Sequence, residues 1–226
     1  LDPQDLTPFP DYLVSVNAAA LDPVEHAALM DILSAGLPMK VLVQWDDMLD
    51  ESSMGDGDLG FSLRSRQLTH MAMVLNEVYV LQAASAHLYQ SRHRLLDAMA
   101  WRGPALVSVF SGATGHAGDL PPYLVAAAAM ASRAFPAFTF DPSAGQDWAA
   151  RLHLEENPQV DRDWVVQPFA WEDERHQRAS GDVAFTLVDF AACDRRTAKH
   201  FARVPRAEWN GHMIGVPEAI ASGAAG

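Results

Sequence analysis

Three stretches of this chain carry side chains that do chemistry. The first is Asn17-Ala18-Ala19-Ala20, directly after an apolar run from Tyr12 to Val16. The second is Asp46-Asp47-Met48-Leu49-Asp50-Glu51, followed by Met54-Gly55-Asp56-Gly57-Asp58. The third is Ser111-Gly112-Ala113-Thr114-Gly115-His116, with Asp119 close behind. Each follows an apolar run that reads as a strand, where ligands of open α/β sheets collect. A loop that grips a diphosphate needs glycines for close backbone approach or an acid to hold a metal, and the first loop has neither. The second is rich in acids, so it repels a diphosphate unless a cation lies between them. Asp46 and Asp56 are its candidate metal ligands. In the third, the glycines follow the serine, whereas a nucleophile elbow reads Gly-x-Ser-x-Gly. A glycine turn with Asp119 capping the next helix is the expectation there. Backbone N–H groups facing an anion are the alternative.

The elements that must position these loops alternate. Tyr12–Val16 reads as a strand and Pro23–Ser34 as a helix, with Asp22 as cap, Pro23 in the first turn and Glu25 completing a capping box. Gly36 and Pro38 end that helix before a strand over Met39–Trp45. A short helix over Gln67–Val74, a strand over Val78–Gln82 and an amphipathic helix over Ser85–Trp101 follow. Strands over Pro104–Phe110 and Pro136–Phe140 flank an alanine-rich helix, Leu124–Arg133. Residues 141–169 read as an irregular arm anchored by Trp148 and Trp164, and Glu172–Phe201 as mostly helical. The pattern predicts an α/β fold: a doubly wound, mostly parallel sheet of about five or more strands, with an irregular arm and C-terminal helices. Residues 1–140 form the α/β domain and 141–226 the extension packed on it.

Composition narrows the function classes. The 226 residues carry a formal charge of −13, which argues against nucleic acid and anionic membrane as partners. Cys193 is the only cysteine, so the chain forms no internal disulfide and carries no iron–sulfur cluster by itself. No run is long enough to span a bilayer, and a cytoplasmic setting is the expectation. The basic group Arg195, Arg196, Lys199, Arg203 and Arg206 reads as a solvated helix face. The nine histidines show no metal-binding spacing. Cys193 and His200 make at most two ligands, His87 and His93 read as surface residues of a helix, and His26 as structural. Trp148, Trp164, Trp171 and Trp209 concentrate in the last third, as anchors to the body or to a partner.

The order of the pieces resembles the C-terminal thiamine-diphosphate domain of pyruvate:ferredoxin oxidoreductase and related 2-oxoacid oxidoreductases. The stretch from Leu29 to Gly36 with Val41-Leu42-Val43 is similar to the family's "LxxxLxxG…NILVLDT". The stretch from Arg66 to Ala83 is similar to "KDLGxxMMxYGxVYVAQ", and that from Trp101 to Ser111 to "YxGPSLIIAYSPC". The resemblance runs from about Tyr12 to Trp164. It implies the thiamine-diphosphate-binding fold, with Mg²⁺ and the diphosphate held by a "GDG" after the first strand. Counting back without a gap places Asn17-Ala18-Ala19 there, and Ala18 has no oxygen for a hard cation. The family's "DTxxYSNTGGQ" falls on Trp45 to Ser52, without its asparagine and glycines. Gly55-Asp56-Gly57 spells the triplet, but after the wrong strand.

The resemblance therefore implies a non-catalytic scaffold or assembly domain of a 2-oxoacid:ferredoxin oxidoreductase-like protein that has lost its Mg–diphosphate motif. Asn17, Ala18, Ala19, Asp46, Asp47 and Ser111 line the degenerate cleft, with no catalytic residue among them. No cofactor is expected on this chain. Thiamine diphosphate and Mg²⁺ are implied by the family only, with iron–sulfur clusters on other domains or subunits. The implied partners are those other parts of a larger oxidoreductase complex, or a second copy in a homodimer. Two alternatives stand beside this reading. One is an active oxidoreductase domain with a rearranged site, in which Asp46, Asp47 or Asp56 holds the metal. The other is a binder of a different small ligand between Asn17, Asp46 and Ser111.

Overall fold

The computed structural model describes residues 12–51, 59–61, 63–172, 175–198, 204–211 and 213. Its first half follows the expected alternation. Strand β1 (Tyr12–Asn17) leads through a short 3-10 turn, Ala18–Ala20, into helix α1 (Pro23–Ser34) and strand β2 (Met39–Trp45). The predicted capping box is present: the Asp22 carboxylate accepts the Val24 and Glu25 N–H groups, and the Glu25 carboxylate accepts that of Asp22. After β2 come two short paired strands, β3 (Leu49–Glu51) and β4 (Leu59–Phe61), within what the sequence suggests is a loop. Helix α2 (Leu63–Val74) and strand β5 (Tyr79–Ala84) follow.

The next helix is shorter than its hydrophobic spacing implies. Ser85–His87 is a 3-10 turn, and helix α3 covers only Arg92–Ala100. Leu88, Leu95 and Met99 nonetheless pack on the same cluster, so a turn followed by a helix keeps the period of one helix. Strand β6 (Ala105–Phe110) leads to helix α4 (Pro122–Ala131). Asp119 does not cap α4. Pro121 stands at the N-cap, where its ring offers no acceptor, and the Leu124 N–H donates to the Pro121 carbonyl. Strand β7 (Phe138–Phe140), the single turn α5 (Trp148–Arg151) and the short strand β8 (Leu152–His153) complete the body.

The main sheet has six strands in the order β1-β2-β6-β5-β7-β8. The pairs β1–β2, β2–β6 and β5–β6 are parallel, whereas β7 is antiparallel to both β5 and β8. The chain is thus an α/β protein with a mostly parallel sheet, and residues expected in an irregular arm supply its sixth strand. Every residue of β5 and β6 is buried, as continuous apolar runs in central strands require. One face packs Leu29 and Leu33 of α1, Leu68 and Ala72 of α2, and Val125, Ala129 and Met130 of α4 against Val41, Val43, Leu106 and Phe110. The other face carries α3 over Leu81, Val107 and Val109, and leaves the edge strand β1 open, with Leu13 65% exposed.

The C-terminal third departs most from expectation. In place of a helix from Glu172, strands β9 (Val165–Glu172) and β10 (Arg178–Phe185) form an antiparallel ribbon. Helix α6 (Leu187–Ala192) and the turn α7 (Arg195–Ala198) follow. A Thr186–Asp189 capping box starts α6, and Phe190 reaches the core. Lys199, His200 and Arg203 lie outside the described residues.

Candidate functional site at the strand ends

The loops after β1, β2, β5 and β6 meet at the carboxyl edge of the sheet. Asp46 is their junction. Its Oδ2 accepts from Asn17 Nδ2 at 2.5 Å, and its Oδ1 accepts from Ser111 Oγ at 2.5 Å and from Gln44 Nε2 at 2.7 Å. Burial alone pushes the Asp46 carboxyl upward, but the bonds from Ser111, Gln44 and Asn17 outweigh it and hold the group below its ordinary value. Asn17 Oδ1 accepts the Ala19 N–H, Ser111 N–H donates to Trp45 O, and Ser85 Oγ donates to Ser111 O. The three predicted cleft residues Asn17, Asp46 and Ser111 are therefore brought together, and they are joined to one another. Ala18 is half-buried against the core, and Ala19 is exposed. Trp45 is turned away under the sheet, its indole N–H donating to Ser108 Oγ at 3.0 Å.

Asp47 takes no part in this junction. Its carboxylate receives Arg196 Nη1 and Nη2 at 2.7 and 2.8 Å, and the same guanidinium spans to Asp194 through Nε at 3.0 Å and Nη2 at 2.7 Å. This fork raises the Arg196 pKa, chiefly through Asp194. Asp194 is buried, which pushes its carboxyl up, yet Arg196 holds it below the usual range. Arg196 thus departs from the solvated helix face that the basic group suggests. With Phe190 and Cys193, its segment closes over Met48, Phe110, Thr114, Ala117 and Val125, leaving a cavity of about 20 Å³, room for roughly one water. Burial raises the Cys193 thiol pKa, which keeps the sulfur protonated and unreactive.

The third loop is shaped by glycine. Gly112 has φ +78°, and a Cβ there would lie 2.1 Å from Pro122 O. The loop can therefore lie against the start of α4 only with glycine at this place. Thr114 Oγ1 accepts the His116 N–H, and His116 O accepts the Arg195 N–H. No bond joins Ser111, His116 and Asp119 into a relay among those described.

His87 was expected on a helix surface. It lies instead in the turn after β5, two residues beyond Ser85, with Nδ1 buried and without a hydrogen-bond partner. Burial lowers its pKa, so the ring is neutral. Gln44, Ser85 and Asp194 are site residues that the sequence reading passed over, and His87 and Arg196 are ones it read as surface. Arg196 and Asp47 stand 149 residues apart, so no local pattern joins them.

Among the described residues no group of three or more His, Cys, Asp or Glu is arranged to hold a metal ion. Asp56 lies outside the described residues, so its proposed ligand role does too. These side chains do not fit a Mg²⁺–diphosphate: Ala18 offers no oxygen, both Asp46 oxygens already accept bonds, and Asp47 faces a guanidinium. Among the described residues no helix is long and apolar enough to cross a membrane. No protein-family model matches the chain, and no curated protein matches it.

Proposed function

We propose that this chain is a non-catalytic scaffold domain built on a thiamine-diphosphate-binding fold, within a 2-oxoacid:ferredoxin oxidoreductase-like assembly. The observation that carries the reading is the closed junction of Asn17, Asp46 and Ser111, where a cofactor's anchor would lie. A binding cleft keeps polar groups free for its ligand to complete. Here they complete one another, and they tie three strand ends into a rigid edge suited to assembly. The helix, strand and loop series from Leu29 to Ser111 supports the family part of the proposal. The iron–sulfur carriers belong to other domains or subunits in this reading, since the chain has one cysteine.

Isothermal titration with thiamine diphosphate and Mg²⁺ tests it. The expected result is no saturable heat at millimolar cofactor. Micromolar binding would overturn the scaffold reading in favour of a rearranged active site centred on Asp46.

A further inference from the structure

Five buried side-chain atoms gather where α3 lies on the sheet and find no hydrogen-bond partner among the described residues. They are Tyr79 Oη, Ser91 Oγ, Arg94 Nε, Thr139 Oγ1 and His153 Nε2. The sheet register brings three of them to one face. Thr139 of β7 pairs with Leu81 of β5 on one side and with His153 of β8 on the other, and directly paired residues share a face. Tyr79 lies two residues before Leu81 on that same face, and both pack in the cluster beneath α3. Ser91 at the start of α3 and Arg94 three residues on share one side of the helix. Arg94 Nη2 lies 3.7 Å from Glu155, whose carboxylate accepts from His153 Nδ1 at 3.1 Å. Burial, then the charges of Asp141 and Asp97, raise the Tyr79 pKa, while Arg94 opposes them, so the phenol keeps its proton beside that guanidinium. Tyr79, Ser91 and Thr139 are each 1% exposed or less.

We propose that this seam binds about two internal water molecules, which join the start of α3 to β5, β7 and β8. The argument rests on hydrogen-bond supply and charge, and is independent of whether a cofactor binds at the strand ends. Buried polar side chains nearly always have a partner, so five orphans in one place point to a polar occupant. The three hydroxyls both donate and accept, and Arg94 Nε only donates. His153 Nδ1 donates to a carboxylate, which leaves Nε2 as the acceptor of the neutral ring. A molecule that donates and accepts satisfies this whole set. A metal ion does not: it would face the Arg94 N–H, and no group of three or more metal-ligating side chains is arranged for one among the described residues. An anion does not either, because Glu155 and Glu156 both stand 3.7 Å from Arg94 and already match its charge. A buried water makes about three hydrogen bonds, so two waters serve five atoms and can also bond each other.

A high-resolution crystal structure of the whole chain and magnetic relaxation dispersion of water oxygen-17 and deuterons test the proposal. The expected crystal result is fully occupied waters within hydrogen-bond reach of Tyr79 Oη, Thr139 Oγ1 and His153 Nε2. The dispersion should report water held longer than the protein tumbles. In Tyr79→Phe/Thr139→Val, which removes two of the partners with little change of shape, that signal should fall by roughly one molecule. Ser34→Ala should leave it unchanged, since that exposed hydroxyl bonds the Asp31 carbonyl far from the seam's strands. Far-ultraviolet circular dichroism verifies that each variant is folded, and the wild-type crystal structure decides the matter if the double variant does not fold. A seam whose five atoms bond one another with no water between them would overturn the proposal, as would an ion or an organic molecule held there. So would a dispersion signal that the folded double variant leaves at the wild-type level.

Discussion

Replacing Asp46 by asparagine separates a structural junction from a binding site. Asparagine keeps one carbonyl oxygen, which can still accept from Ser111 Oγ and Gln44 Nε2. Its amide nitrogen then meets Asn17 Nδ2, donor against donor, at a place where the wild type has a 2.5 Å bond. Asn17 can relieve this only by turning its amide, which gives up the Ala19 N–H that its oxygen now accepts. Three hydrogen bonds to an ionised acceptor would contribute roughly 5–9 kcal/mol if fully dry, at about 1.5–3 kcal/mol each. Asp46 is half open to water, which competes for each bond, so the expected loss is about 1–3 kcal/mol. Urea unfolding at pH 7 measures it as a lower midpoint at unchanged slope. The acid limb gives a second readout. Because the folded-state pKa of Asp46 is depressed, its contribution is present above its unfolded value and disappears as pH falls through the folded one. The gap between wild type and Asp46→Asn should therefore narrow as pH falls below the unfolded carboxyl value. An unchanged or more stable Asp46→Asn would refute the reasoning, since groups strained for function stabilise a protein when removed.

Three further substitutions probe the same edge of the sheet. Arg196→Met should cost about 2–4 kcal/mol at pH 7, because it leaves the buried Asp194 carboxylate facing Asp47 without a cation, and the deficit should shrink as Asp194 protonates; pH-dependent urea unfolding measures it. Gly112→Ala should cost about 3 kcal/mol or more, from its positive φ and a Cβ driven into Pro122 O, whereas Gly115→Ala, with positive φ but open space, should cost only about 1 kcal/mol by thermal unfolding.

Most elements described between Tyr12 and Phe140 were legible because they are buried on a period. The capping box of α1 lies within four consecutive residues, Asp22 to Glu25, and β2, β5 and β6 announce themselves as largely apolar runs. The junction of Asn17, Asp46 and Ser111 was legible for a topological reason: parallel strands bring their carboxyl ends to one edge, so the residues after each strand must meet. The ribbon was not legible. Both its faces are largely exposed, so Val165–Glu172 and Arg178–Phe185 carry no alternation of buried and solvated residues. The break at Ser91 was hidden for the opposite reason, since Leu88 and Leu95 reach one cluster across it. Arg196 was misread because a long-range pair between Asp47 and a segment near the C-terminus leaves no trace in local spacing.

Two separate features of the strand-end mouth point the same way, and their independence strengthens the scaffold reading. One is an absence of ligating atoms: Ala18, directly after β1, offers no oxygen to a hard cation. The other is a positive charge. If Asp47 were kept to hold a divalent ion, a guanidinium at 2.7 Å would oppose that ion at close range in a partly dry cleft. Arg196 instead neutralises Asp47, draws the α6–α7 segment over the cavity beneath, and brings Phe190 into the core. Residues from near the other end of the chain cover this mouth, and Asp47, one of the acids that would repel a diphosphate, is their attachment point through Arg196.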